Sequence, residues 1–500
     1  MVYLYMYSSG DDKMEHRPVN GSRTKKKKIN IPSIVMSVIN LLFTILIVSF
    51  IASLKMVPMK FMVILVILLL LINGGEFFLL KVKNKVSNII GYILSVIIII
   101  ISTVGMFYIA KTNSFLDKSF NNAANYYTTS YYILTLNNNE YKGIEDLDGV
   151  SLGYYENIPN LKEAFDVLSE SLSFKKKELD DLYDMFDTLN DKLVDSILID
   201  KALYGTLSEN TSFYDLSNYK VVYEFDVKIK EEVEEIDTDS DSFSIYIGGA
   251  DFTELYNDFN MIVTINKKTH KIMLTSIPRD FYVDVHGKGG KDLLGYAAVW
   301  GINTSRRTVE NLFGINIDYY MKINTQSLVG LVDTLGGVEF CSDKSFRTDH
   351  ALVMGTYDDT KGKKLYVQKG CREYSGIQIL TIARERKAFP DGDRQRQKNC
   401  QQIIINIFKK MIRPELLTNY TNILNSVSDL YTTNIPRELV SGLATETLNG
   451  AQWKFEQQSV TGSDSRGNVH FSSVVDYVMR PNQESIDAAT ATINKIEEGR

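Results

Sequence analysis

Ser244-Ile-Tyr-Ile-Gly-Gly-Ala-Asp251 reads as a short apolar strand whose glycines let the backbone turn tightly before an acidic side chain. Asp258 follows closely. Two further strands, Asn260 to Ile265 and Lys271 to Ile277, are joined by the turn-forming Asn266-Lys-Lys-Thr-His270 and end in Pro278-Arg279-Asp280. Charged groups therefore gather at strand ends. Two carboxylates near a strand terminus suit a hard divalent cation that keeps several waters and takes phosphate oxygens as its remaining ligands. Capping or turn formation accounts for the same acids without a metal.

Arginines recur downstream: Arg279, then Arg306 and Arg307 at the head of a helix-like stretch, then Arg384, Arg386, Arg394 and Arg396. The planar guanidinium gives bidentate contacts to phosphate and stays charged at every relevant pH, as a polyphosphate ligand requires. Each taken alone reads as a surface arginine. The stretch Ser375 to Ala383 is apolar enough for a buried helix, so Arg384 and Arg386 leave its end together, with Asp391 and Asp393 available to orient them.

Upstream, the acidic run Glu231 to Asp241 reads as a solvated linker. Before it, strand-like runs at Tyr131 to Leu136, Val150 to Tyr154, Ser196 to Ile199 and Tyr219 to Phe225 alternate with helically spaced leucines and phenylalanines, among them Leu179, Leu182 and Phe186. A small α/β unit is implied. The phrases Ile144-Glu-Asp-Leu-Asp-Gly149 and Leu193-Val-Asp-Ser-Ile-Leu-Ile-Asp200 resemble one lobe of a solute-binding domain, without a visible ligand constellation.

Farther upstream the character changes. Ile31 to Leu54 and Ile89 to Ala110 carry no charged residue, and a run centred on Phe61 to Leu71 extends towards Leu80 with only Glu76 inside. Each is long enough to cross a hydrocarbon core of about 30 Å. Basic residues precede the first run (Arg23, Lys25 to Lys28) and separate the second from the third (Lys81, Lys83, Lys85), which places both segments in the cytoplasm under the positive-inside rule. Three crossings then export the remainder. A cleaved signal peptide is the alternative for the first run, but no small-residue cleavage site follows it.

The 500 residues carry a net charge of -6 with no basic stripe outside the membrane flanks, which disfavours nucleic acid as a partner. The three cysteines, Cys341, Cys371 and Cys400, show no zinc spacing, and Cys341 with Cys371 is the expected disulfide. Five dispersed histidines form no hydrolase triad with a serine.

Over about Ser242 to Arg500 the chain resembles the LytR-CpsA-Psr phosphotransferases. The blocks that carry the likeness are Asn260-Met-Ile-Val-Thr-Ile-Asn266, Thr275-Ser-Ile-Pro-Arg-Asp280, Ile317-Asp-Tyr-Tyr320, Leu331-Val-Asp-Thr-Leu-Gly-Gly-Val338, Arg384-Glu-Arg386 and Asp391-Gly-Asp-Arg-Gln-Arg396. The resemblance implies a three-layer α/β/α catalytic domain at 242–500, behind a basic cytoplasmic tail at 1–30, three transmembrane helices at 31–110 and an extracytoplasmic α/β accessory domain at 111–241. This arrangement looks like that of the capsule-assembly members.

Carried over by position, Asp251 and Asp258 match magnesium-binding acids. Arg279, Arg307, Arg384, Arg386 and Arg396 match pyrophosphate-binding cations, and Asp393 matches an orienting acid. Leu328, Leu331, Val332 and Leu335 share a helical face that suits either a lipid tunnel or ordinary core packing. The implied activity is Mg-dependent transfer of a phosphoglycan, such as capsule or teichoic acid, from a polyprenyl pyrophosphate carrier to peptidoglycan. A non-catalytic polyprenyl-phosphate-binding scaffold is the alternative, and a transcriptional attenuator is disfavoured by the expected export.

Three departures from the family pattern stand out. Tyr256 replaces an arginine shortly before the second metal-site acid, and Cys400 replaces a glutamine for which Gln401 or Gln402 could substitute. Asp292-Leu-Leu-Gly-Tyr-Ala297 lacks a usual lysine and histidine.

Overall fold

The computed structural model describes residues 31–120, 126–201, 203–204, 207, 216–230, 240–250, 256–353, 362–411, 431–469 and 474–500. These fall into two compact units, Met1–Leu46 with Val66–Ser102 and Ile47–Leu65 with Thr103–Arg500.

Three helices, α1 (Ile31–Ser53), α2 (Met59–Lys81) and α3 (Lys85–Phe120), are long and apolar enough to cross a membrane. Helix α3 continues past Ala110, so the boundary expected there falls inside a helix. In the first unit, polar side chains point at one another, because hydrocarbon offers them no partners. The fully buried Glu76 accepts from Ser37 Oγ at 3.0 Å and Ser95 Oγ at 2.7 Å, and Asn73 donates to Thr44 at 2.9 Å.

The second unit holds two larger sheets. The first contains β1 (Tyr126–Leu136), β2 (Ser151–Tyr155), β3 (Lys175–Leu179), β4 (Ser196–Asp200) and β5 (Tyr219–Lys230), with α4 (Leu161–Ser169) and α5 (Leu182–Asn190) as crossovers. Its order is β3-β2-β4-β1-β5, with β2 parallel to both β3 and β4. Strand β3 was missed in the sequence because Lys-Lys-Lys-Glu is an exposed edge, and Leu179 belongs to it and not to the helical face. Strand β4, between β2 (parallel) and β1 (antiparallel), is buried throughout, as expected for a central strand covered on both faces.

The second sheet is built from β6 (Ser242–Ala250), β7 (Asn257–Asn266) and β8 (Lys271–Ile277). After the short hairpin of β9 (Tyr282–Asp284) and β10 (Lys291–Leu293), a 3-10 turn (Leu294–Trp300) leads into α6 (Ile302–Phe313). Helix α6 ends at Gly314, whose φ of 65° lets its N–H reach Glu310 O at 2.7 Å. It returns the chain to β11 (Tyr319–Ile323), parallel to β6.

Next come α7 (Thr325–Thr334), β12 (Val338–Ser342), β13 (Phe346–Ala351), β14 (Lys364–Val367), β15 (Gly370–Tyr374), α8 (Gly376–Arg384) and α9 (Asp393–Met411). The chain finishes with β16 (Tyr431–Thr433), α10 (Arg437–Leu448), β17 (Lys454–Ser459), β18 (Gly462–Val469), β19 (Val474–Pro481) and α11 (Gln483–Glu497).

The sheet order is β16-β11-β6-β7-β8-β17 among the described residues. Alternation along β6, β7 and β8 sends Tyr246, Ile262 and Ile277 to one face, where Val309, Phe313, Ile486 and Ile493 cover them. Phe243, Met261, Val263 and Leu274 go to the other face, against Ile405 and Leu439. Helices α6 and α11 thus form one layer and α9 and α10 the other, giving the expected α/β/α arrangement.

Cys341 and Cys371 face each other across β12 and β15 and are disulfide-bonded. Val332 and Leu335 are buried in a core with Ile379, Ile382 and Ile403, and Leu328 and Leu331 pack against it. That face therefore serves core packing.

Helix α10 bonds to the C-terminal parts of two apolar helices. Arg437 donates to Asp117 and Asn113 of α3 and, at 3.2 Å, to the carbonyl of Ser53 in α1. Thr445 adds a bond to Met56 O at 3.0 Å.

Candidate functional site

The site grows from the register of β7 and β8. Antiparallel pairing sets Asn260 opposite Ile277, so Asp258, two residues before Asn260, and Arg279, two residues after Ile277, leave the sheet side by side. Their side chains form an ion pair, and Arg279 Nε also lies 3.2 Å from Asp280 Oδ1.

Two more cations reach this pair from the opposite side of the fold. Arg386 follows α8, which Ser375 and Gln378 start with a reciprocal capping box. Arg396 lies in the first turn of α9, is only 6% exposed, and so brings both its charge and the positive end of a helix dipole. Between Arg384 and Arg386 the fully buried Glu385 turns away, accepting from the N–H groups of Asp349 and Ala388 at 2.6 and 2.8 Å.

The electrostatic outcome is legible at Asp258. Burial pushes its carboxyl up, but the guanidinium groups of Arg279, Arg396 and Arg386 outweigh burial and hold it at about 2. The group stays ionised beside these guanidinium groups, and guanidinium groups gathered in this way suit phosphate oxygens.

Other expected residues are placed as follows. Asp251 lies outside the described residues. Asp393 heads α9, its side chain lying outside the description, and Asp391 is exposed. Arg307 on α6 and Arg384 in the last turn of α8 are half-buried. Arg306 is built into the fold: it is 4% exposed and donates to Asn303 at 2.8 Å, Glu310 at 2.9 Å and the carbonyl of Ile317. Gln401 donates to Gln458 O at 2.7 Å and Gln402 accepts from Cys341 N at 2.7 Å, so both glutamines that could replace the one absent at Cys400 hold backbone instead.

The sequence reading missed Asn257. This buried side chain donates to Tyr246 Oη at 3.0 Å, Tyr246 donates to Asn260 at 2.5 Å, and the Oδ1 of Asn257 has no partner among the described residues. A Cβ at Gly248 would lie 2.6 Å from the Asn257 amide, so the glycine is required for this approach. Asn257 and Asn260, flanking Asp258 at the start of an apolar strand, were the available signal.

The other departures prove to be neighbours. Tyr256 and Tyr296 pack ring to ring with centroids 5.6 Å apart, within a cluster containing Val285, Val299 and Trp300.

An α/β/α sheet whose edge gathers Asp258 and arginines, in a chain that also carries three helices long and apolar enough to cross a membrane, defines a class of membrane-anchored proteins. Within that class the assignment is direct: the LytR_cpsA_psr family model matches residues 210–495, and the chain belongs to this family. A teichoic acid transferase of Bacillus anthracis, "Polyisoprenyl-teichoic acid--peptidoglycan teichoic acid transferase TagU", is 31% identical over 183 residues, 36% of this chain and 56% of its own length. The protein of the same name from Enterococcus faecalis is 31% identical over 208 residues, 41% of this chain and 64% of its own length. The chain thus spans between 56% and 64% of these curated relatives. The solved structure of Bacillus subtilis TagT is 26% identical, covers 54% of this chain and 96% of that one, and superposes with a TM-score of 0.41.

Proposed function

We propose that this protein transfers a phosphoglycan from a polyprenyl pyrophosphate carrier to peptidoglycan, with magnesium as cofactor. The observation that carries the reading is the convergence of Arg279, Arg386 and Arg396 on an Asp258 held ionised at about 2. The names of the teichoic acid transferases that the chain resembles support the same reaction class.

In this mechanism a muramic acid hydroxyl attacks the phosphorus bonded to the sugar. The new O–P bond replaces the bond to the bridging oxygen, polyprenyl monophosphate leaves with the electron pair, and the hydroxyl proton passes to solvent or to the departing phosphate. Arg279 and Arg396 hold the diphosphate oxygens and stabilise the charge that develops on them. Asp258 keeps Arg279 oriented. An ionised carboxylate that meets phosphate oxygens is a suitable donor set for magnesium, so Asp258 would hold the ion, with Asp251 as the second expected acid. Bound there, magnesium would neutralise phosphate charge as a Lewis acid.

The basic flanks of the apolar helices support an orientation with this chemistry outside the cell and with residues before Ile31 and the loop around Lys83 inside. Labelling of Ser87→Cys and Ser463→Cys by an impermeant reagent in intact cells tests the orientation: reaction at position 87 but not at 463 would reverse it. Turnover of a polyprenyl-pyrophosphate-linked glycan by purified protein with magnesium tests the activity.

The scaffold reading gains from one observation. Tyr256 and Tyr296 are taken up in packing, at positions where the family resemblance expects polar contacts. Tight carrier binding without turnover would establish that reading instead.

A further inference from the structure

The 3-10 turn Leu294–Trp300 contributes no charge to the site, yet it lies directly behind it. Leu294 N–H donates to Phe281 O at 2.8 Å and Gly295 N–H donates to Arg279 O at 2.9 Å. A Cβ on residue 295 would lie 2.9 Å from Asn257 O and 3.4 Å from Arg279 Cβ. The turn is therefore pressed at once on the backbone before Asp258 and on the stem of Arg279. Glycine is needed there because of that close approach, and it leaves the next side chain to fix the turn.

That side chain is Tyr296, 8% exposed. Its ring lies 5.6 Å from Tyr256 and 5.4 Å from Trp300. Tyr256 directly precedes Asn257 and Asp258, so one aromatic pair ties the entry to β7 to the turn that supports Arg279. Aromatic pairs of this kind contribute about 0.5–1.5 kcal/mol beyond their buried area.

Tyr155 and Asp200 end the parallel strands β2 and β4 and are buried, and Asp292, at the base of the turn, is fully buried. Burial pushes the Tyr296 phenol well above its usual range, and the nearby Asp200, Tyr256, Tyr155 and Asp292 push it the same way. Lys288, which feels Glu163 of α4, places its ammonium 5.7 Å from the centre of the Trp300 ring.

We propose that Tyr296 is a positioning residue: wedged between Tyr256 and Trp300, it holds the Leu294–Trp300 turn against Arg279 and so sets the geometry of the Asp258–Arg279 pair. This explains a tyrosine in a place where a polar contact to substrate would otherwise be expected. The proposal rests on the diphosphate reading only for its second readout.

The test uses the full chain in detergent, comparing Tyr296→Ala and Tyr296→Phe with the parent. Hydrogen exchange of the peptides covering 278–281 and 292–297 needs no ligand. Tyr296→Ala should exchange about tenfold faster in both peptides, with 196–200 unchanged, and Tyr296→Phe, which keeps the ring, should return to the parent rate. Parent-like exchange in Tyr296→Ala overturns the proposal.

The second readout is binding of farnesyl pyrophosphate, followed by the emission of Trp300 in a Trp453→Phe background that removes the other of the two tryptophans. Tyr296→Ala should weaken binding about tenfold, the equivalent of about 1.4 kcal/mol. If the parent binds and Tyr296→Ala binds equally well, the positioning role fails and the diphosphate reading survives. If the parent does not bind but the exchange change appears, the diphosphate reading fails and the positioning role stands.

Discussion

Asp258 and Arg279 leave neighbouring antiparallel strands at the same edge and close an ion pair there, with Arg396 and Arg386 adding positive charge from a different layer of the fold. One carboxylate answering three guanidinium groups governs how the site should respond to acid, metal and substitution.

The first consequence concerns pH. A carboxyl depressed in the folded state contributes stability above its unfolded value of about 3.9 and loses that contribution as pH falls through its folded value. With the folded value at about 2, the contribution of Asp258 should be complete at neutral pH and disappear between about pH 4 and pH 2. Arg396→Met removes one opposing charge, so burial regains weight and the acid loss should move to higher pH. Thermal unfolding in detergent from pH 2 to 6 measures the displacement, and superimposable curves would contradict the charge balance.

Asp258→Ala and Arg279→Ala should both abolish transfer while leaving the exported part folded, but their metal responses should differ. Excess magnesium should partly restore Asp258→Ala by mass action, with waters and phosphate oxygens replacing the lost ligand. Arg279→Ala should not be rescued, because a charge-assisted contact of about 1.5–3 kcal/mol is lost whatever the metal occupancy. Magnesium titration of the transfer rate separates them, and equal rescue would refute the assigned roles.

The Cys341–Cys371 bridge closes a separation of 30 residues. In the chain-entropy picture a loop of that size is stabilised by about 3 kcal/mol. Reductant should lower the melting temperature of the parent and leave Cys341→Ser/Cys371→Ser unaffected. Intact mass after thiol blocking should show one alkylated cysteine, Cys400, before reduction and three after.

Gly376→Ala probes the packing of α8 on α7. An added Cβ would meet Val329 O at 2.2 Å, and backbone there cannot yield as a side chain would. Overpacking of this kind is destabilising by about 1–3 kcal/mol. Because Arg384 ends the same helix and Arg386 follows it, carrier binding should weaken along with the melting temperature.

Legibility followed physical distinctness. The apolar helices and the β6–β8 meander could be read directly because uninterrupted apolar runs and glycine-bounded strands have few competing interpretations. Arg279 and Asp258 were marked by their places at strand ends. Arg306 looked equivalent to Arg307 until Glu310 and the carbonyl of Ile317 were seen to engage it, since a buried structural arginine and a ligand-binding one have the same local sequence. The Lys-Lys-Lys strand β3 was invisible to a hydrophobic pattern because an edge buries little. Asn257, Gly295 and the pairing of Tyr256 with Tyr296 are tertiary facts, arising where segments separated in sequence are pressed together.

The grip of Arg437 on the ends of α1 and α3 has a bearing on encounter. A folded domain fastened at those helix ends, and not swinging on a long linker, samples a thin slab next to the bilayer. The lipid-anchored carrier proposed above would move in that same slab, so its search would be two-dimensional and the relevant concentration would be molecules per unit of membrane area. Breaking the grip with Arg437→Ala should leave the chemistry at Asp258 and Arg279 intact and dilute the site into a larger volume, a loss that appears in vesicles and vanishes in mixed micelles.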